Sequence, residues 1–166
     1  MAVLLLLRHA KSDWNAAYDQ DHNRPLNDRG IQAAKKIGLM LTRADHAPDL
    51  IIASSATRTL HTAQLAAESG AWDAPIRSEP QLYSGGVDDM LSVIESAEGA
   101  ETLMIVGHQP TCGSVISQLT GARVTVKTAT VAAIEFPTRT LFSAHIWSNI
   151  SSTKGTLRFL IHPRML

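Results

Sequence analysis

The sequence predicts an α/β protein, a three-layer α/β/α sandwich around a mostly parallel central sheet. The run Ala2–Leu7 is apolar without interruption, as in a strand covered on both faces by helices. Two further apolar stretches, Leu50–Ala53 and Thr102–Val106, repeat that character, and segments of helical pattern lie between the three. All three stretches run directly into polar residues. In open α/β sheets ligands bind beyond the carboxyl ends of the strands, so those polar residues are the first place to look for chemistry.

In chain order, Ala2–Leu7 is the first strand and ends at Arg8. Pro25–Gly30 has turn composition, and Asn27 is placed to cap the helix that follows. There Ile31, Ala34, Ile37, Leu39 and Leu41 form a roughly helical apolar face, closed by Pro48. Leu50–Ala53 is the second strand, and Thr57–Ser69 a helix ended by Gly70. A short strand is expected around Ile76, then a helix over Val87–Ala97 with Asp88 and Asp89 near its positive end. Thr102–Val106 is a buried strand broken by Gly107-His-Gln-Pro110, and Thr111–Leu119 a helix. Ala129–Phe136, Thr140–Trp147 and Thr156–Ile161 are rich in β-branched and aromatic residues and read as strands, some forming an antiparallel edge.

The 166 residues suit a single domain over 1–166, and a hydrophobic content of 45% is enough for a core. Lys plus Arg and Asp plus Glu are both 15, so net charge gives no reason to expect a nucleic-acid or membrane-surface partner. The three tryptophans are scattered, unlike a base-stacking platform. The lone Cys112 excludes an internal disulfide and a cysteine-cluster zinc site, and it reads as a small buried thiol. No apolar run spans a bilayer, and Met1–Leu7 lacks the basic lead of a signal peptide. The expected location is cytoplasmic.

The polar strand ends hold Arg8-His9, Ser54-Ser55 leading to Arg58, and Gly107-His108. Two arginines and two histidines would then share one crevice. A guanidinium fork matches phosphate oxygens, and a neutral imidazole is a competent nucleophile near neutral pH. Together they describe phosphoryl transfer by way of a histidine. Each short motif alone is common, but their coincidence is specific. No glycine-rich phosphate loop ending in Lys-Ser or Lys-Thr and no His-Glu-x-x-His pair occurs. His22, His46, His145 and His162 show no partner in the sequence. His61, one turn beyond Arg58, reads as a half-buried structural histidine.

Arg8-His9-Ala10 resembles the Arg-His-Gly signature of the histidine phosphatase superfamily, with Ala for the usual Gly. Ser12-Asp13-Trp14-Asn15, Arg24-Pro-Leu-Asn-Asp-Arg-Gly30, Ser54–Ala63 and Val106-Gly-His-Gln-Pro110 are similar to further segments of that family, in family order. The compact length, Arg24-Pro-Leu and His108-Gln-Pro most resemble its SixA-type phosphohistidine phosphatases. The resemblance implies a phosphoglycerate-mutase-like fold and a hydrolase that needs no metal or other cofactor. It implies that His9 attacks phosphorus, that Arg8, Arg58 and His108 bind the phosphoryl oxygens, and that Asn15 touches phosphate. The neighbouring arginines are expected to depress the His9 pKa and keep it nucleophilic.

The sequence departs from the family in its proton donor. Tyr83 and Ser84 stand where many members carry an acid, and Glu79, Asp88 and Asp89 are nearby without aligning. Asp19 and Asp21 lie in the loop after the first motif, where either could orient a proton or hold Arg24. An alkoxide leaving group wants a proton in the transition state, whereas the imidazole of phosphohistidine can already carry one on its second nitrogen. A phosphoramidate or an anhydride therefore suits the site better than an unactivated alkyl phosphate, and the resemblance to the SixA type implies a phosphohistidine-bearing protein as the substrate. The alternatives are a phosphomonoesterase or anhydride hydrolase for a small metabolite, and a non-catalytic module that binds a phospho-ligand. Mutase activity is disfavoured by a chain with little room for insertions around a sugar phosphate. None of these motifs encodes an oligomeric state.

Overall fold

A computed structural model describes residues 1–137, 145 and 147–166. Its strands are β1 (Ala2–Arg8), β2 (Leu50–Ser54), β3 (Ile76–Glu79), β4 (Thr102–Gly107), β5 (Val131–Phe136) and β6 (Thr156–Ile161). Its helices are α1 (Asp28–Arg43), α2 (Thr57–Gly70), α3 (Gln81–Ser84), α4 (Val87–Glu95) and α5 (Thr111–Thr120). The six strands form one sheet in the order β3-β2-β4-β1-β5-β6. β3, β2, β4 and β1 are parallel, and β5 runs against both β1 and β6. The expected reversal is thus real, but it sits one strand in from the edge. This is a mixed α/β fold with helices packed on both faces of the sheet.

The unbroken apolar character of β1 follows from cover on both faces. Leu4 and Leu6 join a core with Met90, Leu91 and Ile94 of α4 and Val115, Ile116 and Leu119 of α5. Leu5 and Leu7 point the other way, into a core with Ile37 and Leu41 of α1 and Ala63 and Ala67 of α2. Two glycines make the second layer close. A Cβ at Gly38 would overlap the carbonyl oxygen of Ala66, and one at Gly30 would overlap that of Lys11. Helices α1 and α2 therefore approach to backbone contact, and the start of α1 presses on the segment after β1.

Asn27 caps α1 as expected, its side chain accepting from the Gly30 amide at 2.9 Å. Leu39, expected on the apolar face of α1, is instead 45% exposed, because that face is defined by Ala34, Ile37, Gly38 and Leu41. The helix expected over Val87–Ala97 ends at Glu95, and Asp89 accepts from the Gly86 amide at its start. The strand expected over Thr140–Trp147 lies largely outside the described residues. Trp147 itself is in a turn, fully buried, and donates its indole N–H to the Ala100 carbonyl at 2.9 Å. Among the described residues no helix is long and apolar enough to cross a membrane.

Candidate active site

Because β2, β4 and β1 are adjacent and parallel, their carboxyl ends lie side by side, with Arg8 in register with Gly107 and Ala53 with Val106. The residues that follow each strand must therefore meet. His9 and His108 do so, with ring centroids 5.3 Å apart and planes at 57°. The His9 amide donates to the Gly107 carbonyl at 3.0 Å, which ties the two strand ends beyond the sheet.

The backbone around His9 is held from three sides. Ala10 N–H donates to the Thr62 hydroxyl at 3.0 Å, and that hydroxyl donates to the Arg58 carbonyl at 2.6 Å. A single α2 threonine thus links the His9 segment to the turn carrying Arg58. Ala129, at a left-handed φ of 59°, donates its N–H to the carbonyls of Arg8 and His9. Beneath them Ala10 packs in a small apolar cluster with Leu26, Ala34, Leu65 and Ala129. The Ala10 methyl has a built place there, which accounts for alanine where the family usually has glycine.

The His9 tautomer follows from its surroundings. Nδ1 lies 2.7 Å from the Ala10 carbonyl, which can only accept, so Nδ1 carries the proton and Nε2 keeps its lone pair. The His9 pKa is lowered to about 3, and burial is the largest cause. The Ala10 bond opposes the shift, and the charges of His108, Arg58 and Arg8 add smaller downward contributions. The arginines lower it as expected, but dehydration of the buried ring does more. His108 is lowered to about 4, chiefly by burial and then by Arg58. Its Nε2 is 2.8 Å from the Ser54 hydroxyl at the end of β2.

Both arginines reach this region with part of their donor capacity unmet. Arg8 Nη1 donates to the Val126 carbonyl at 3.0 Å, while its buried Nε has no partner. Arg58, 5% exposed, donates from Nη1 to the Asp21 backbone carbonyl at 2.8 Å and from Nη2 to Asp21 Oδ2 at 3.1 Å. Its Nε is likewise buried and unpaired. Buried guanidinium nitrogens without acceptors are uncommon, and an anion is the natural acceptor for two of them.

Asp21 is the hub that sequence reasoning undervalued. It accepts from Arg24 Nη2 at 2.9 Å, from Arg58, and from the Tyr83 hydroxyl at 3.1 Å. Its pKa is lowered, first by the Arg24 hydrogen bond, so it is ionised at neutral pH and can take a proton but has none to give. Arg24, 5% exposed, also donates to the Ser12 hydroxyl and lies 3.6 Å from the centre of the Trp14 ring. Tyr83 stands edge-on to His108 at 5.8 Å and to His22 at 4.8 Å, and burial and Asp21 raise its pKa. His22 in turn bonds Ser55 at 2.9 Å. The i, i+3 spacing of Asp21 and Arg24 was a legible sign of this pairing. Nothing in the sequence brought Tyr83 to it.

The other acid candidates are engaged locally. Glu79 accepts from the Gln81 amide, Asp19 from Asn23 and the Gln20 amide, and Asp89 from Gln81 and Gly86. Asp88 is exposed. Asn15 is exposed too, its amide donating to Asp13 at 2.9 Å, and no contact joins it to the histidine pair. Cys112 is fully buried and its thiol is pushed up to about 12, as suits an inert packing group. His61 is partly buried on α2.

The profile of the histidine phosphatase superfamily, branch 1, matches residues 4–84. An uncharacterised protein of Mycobacterium tuberculosis is 34% identical over 136 residues, covering 80% of this chain and 82% of that protein. An uncharacterised chloroplastic protein of Arabidopsis thaliana is 32% identical over 142 residues, covering 80% of this chain, which spans 65% of the plant protein's length. A candidate phosphohistidine phosphatase SixA from Nakamurella multipartitia superposes with a TM-score of 0.82 at 26% identity, over 98% of this chain and 96% of that one. The chain belongs to the histidine phosphatase superfamily, and with it to the phosphatase hydrolases. Within that superfamily its likeness is to the SixA type.

Proposed function

We propose that the protein is a metal-independent phosphatase that works through a phosphohistidine intermediate on His9 and takes its phosphoryl group from phosphohistidine in a protein. The observation that carries this reading is the pairing of a neutral His9, its Nε2 lone pair free, with Arg8 and Arg58, each of which holds a buried, unpaired Nε–H. Nucleophile and oxyanion donors are thereby organised before substrate arrives. Nε2 attacks phosphorus in line. The bond from phosphorus to the substrate nitrogen breaks, and its electron pair leaves with that nitrogen. Arg8, Arg58 and His108 hold the equatorial oxygens, whose negative charge they stabilise through the transfer. Water then attacks phospho-His9 and releases inorganic phosphate.

The substrate class rests on the proton inventory. Asp21, the one carboxylate among the described residues that contacts Arg58, is ionised and bound to two arginines. An alkyl phosphate would have to leave as an alkoxide without a carboxylic acid beside it. A phosphohistidine can carry a proton on its second ring nitrogen, and from that form it loses a neutral imidazole. The test is a rapid quench with a radiolabelled phosphohistidine protein, run beside sugar phosphates and pyrophosphate. The reading expects an acid-labile, alkali-stable adduct that disappears in His9→Ala, and faster turnover on the phosphoprotein. Equal or faster turnover of alkyl phosphates would refute the substrate assignment, and binding without adduct or turnover would mark a non-catalytic module.

A further inference from the structure

A cleft lined by basic residues lies apart from the histidine crevice. It has a volume of about 380 Å³ and lies between the start of α1, the loop before β5 and the turn at Pro163–Met165. None of Arg8, His9, Arg58 or His108 lines it. Its walls carry Lys11, Arg29, Lys36 and Arg164 against a single acid, Asp28. In a chain with 15 basic and 15 acidic residues this is a local excess of positive charge.

The excess has a structural origin. Arg29, Gln32, Ala33 and Lys36 fall on one stripe of α1 at i, i+3, i+4 and i+7 spacing. Lys11 is brought to the same wall because its carbonyl accepts the Asn27 amide at 3.0 Å. Arg164 comes from the other side, after His162 Nδ1 accepts the Arg164 amide at 3.2 Å. Among the described residues, none of these four cations makes an ion pair. Their field is felt locally: the His162 pKa is lowered by burial first and then by the charges of Arg164 and Lys127.

We propose that this cleft is a second binding site, separate from the catalytic crevice, for a small organic polyanion carrying at least two phosphate or carboxylate groups. The charge asks for more than one anionic group. The volume falls within the ~300–1,000 Å³ of small-molecule pockets, and Ala33 and Pro163 give an apolar wall for an organic body. A binding protein would ask for a broader and flatter surface.

The test uses the intact protein with the catalytic crevice saturated by orthovanadate. ADP and citrate are titrated by calorimetry as a phosphate and a carboxylate probe, with a ten-residue glutamate peptide as a third arm. At least one small probe is expected to bind one site, with affinity reduced about tenfold or more in Lys36→Glu/Arg164→Glu and in the milder Lys36→Gln/Arg164→Gln. Hydrolysis of para-nitrophenyl phosphate should stay within about twofold of the parent in both variants, since neither residue touches the crevice. The His162 pKa, followed by NMR, should rise when the probe binds, because an anion favours imidazolium. Unchanged affinity in both variants, silence from ADP and citrate at millimolar concentration, or binding of the peptide alone would each overturn the assignment. None of these results bears on the chemistry of His9, so the two proposals fail independently.

Discussion

At the scale of single residues, the decisive feature is which nitrogen of His9 is free. The Ala10 carbonyl takes the Nδ1 proton, and burial keeps the ring neutral down to a pKa of about 3. His108, lowered to about 4, stays neutral over the same range. The pH dependence of kcat/KM reports groups of the free enzyme. The profile should therefore show no loss of activity through pH 6.5, and a decline only as the pH falls towards 4 and 3. A phosphohistidine substrate with its own titration measured separately would check this, and a limb near 6.5 would mean that the imidazoles are hydrated. Arg58→Ala and His108→Ala should each lower kcat/KM by about a hundredfold or more, in keeping with the loss of an oxyanion donor. A loss of only a few-fold would place the phosphoryl group elsewhere. His9, His108, Arg8 and Arg58 were all legible because each follows a strand or opens a helix. Asp21 was legible only as a loop acid, since its role depends on where the loop passes.

At the scale of elements, parallel strand ends and one tight helix pair fix the site. Thr62 bridges Ala10 and Arg58, so Thr62→Val removes a donor and an acceptor together from a buried place. It should cost about 1–3 kcal/mol in chemical denaturation and lower kcat. Gly38→Val should destabilise by a similar ~1–3 kcal/mol, because α1 and α2 must separate, with a smaller change in activity per unit of stability lost. Unchanged denaturation midpoints would show that these contacts are loose. β1, β2 and β4 were readable because burial on both faces removes polar residues from them. An antiparallel edge was expected from the last strands, but which strand reverses was not readable, since a buried strand has the same composition either way. α3 was not foreseen because four residues show no periodicity, yet it carries Tyr83 to the site. The exposure of Leu39 shows the limit of periodicity, which marks a face but not its edge.

At the scale of the whole molecule, three segments distant in sequence meet through Asp21 and Arg24, Arg58, and Tyr83. Asp21→Asn leaves the fold but weakens the charge that aims Arg58. A loss of about tenfold to a hundredfold in kcat/KM is expected, with Tyr83→Phe milder. The acid sensitivity of the fold follows from the buried imidazole of His9 and the half-buried one of His108. Unfolded histidine takes up a proton near pH 6.5, while folded His9 and His108 resist to about 3 and 4. Their contribution to stability is complete above about 6.5 and is lost as pH falls through that window. His9→Gln should flatten this fall in melting temperature between pH 7 and 4. The central claim is that one nitrogen, Nε2 of His9, forms the bond to phosphorus. The most direct measurement is phosphorus NMR with peptide mapping of the adduct trapped during turnover of a phosphohistidine protein. The account predicts phosphate on Nε2 of His9 alone. An adduct on Nδ1, on His108, or on no residue while turnover continues would contradict it.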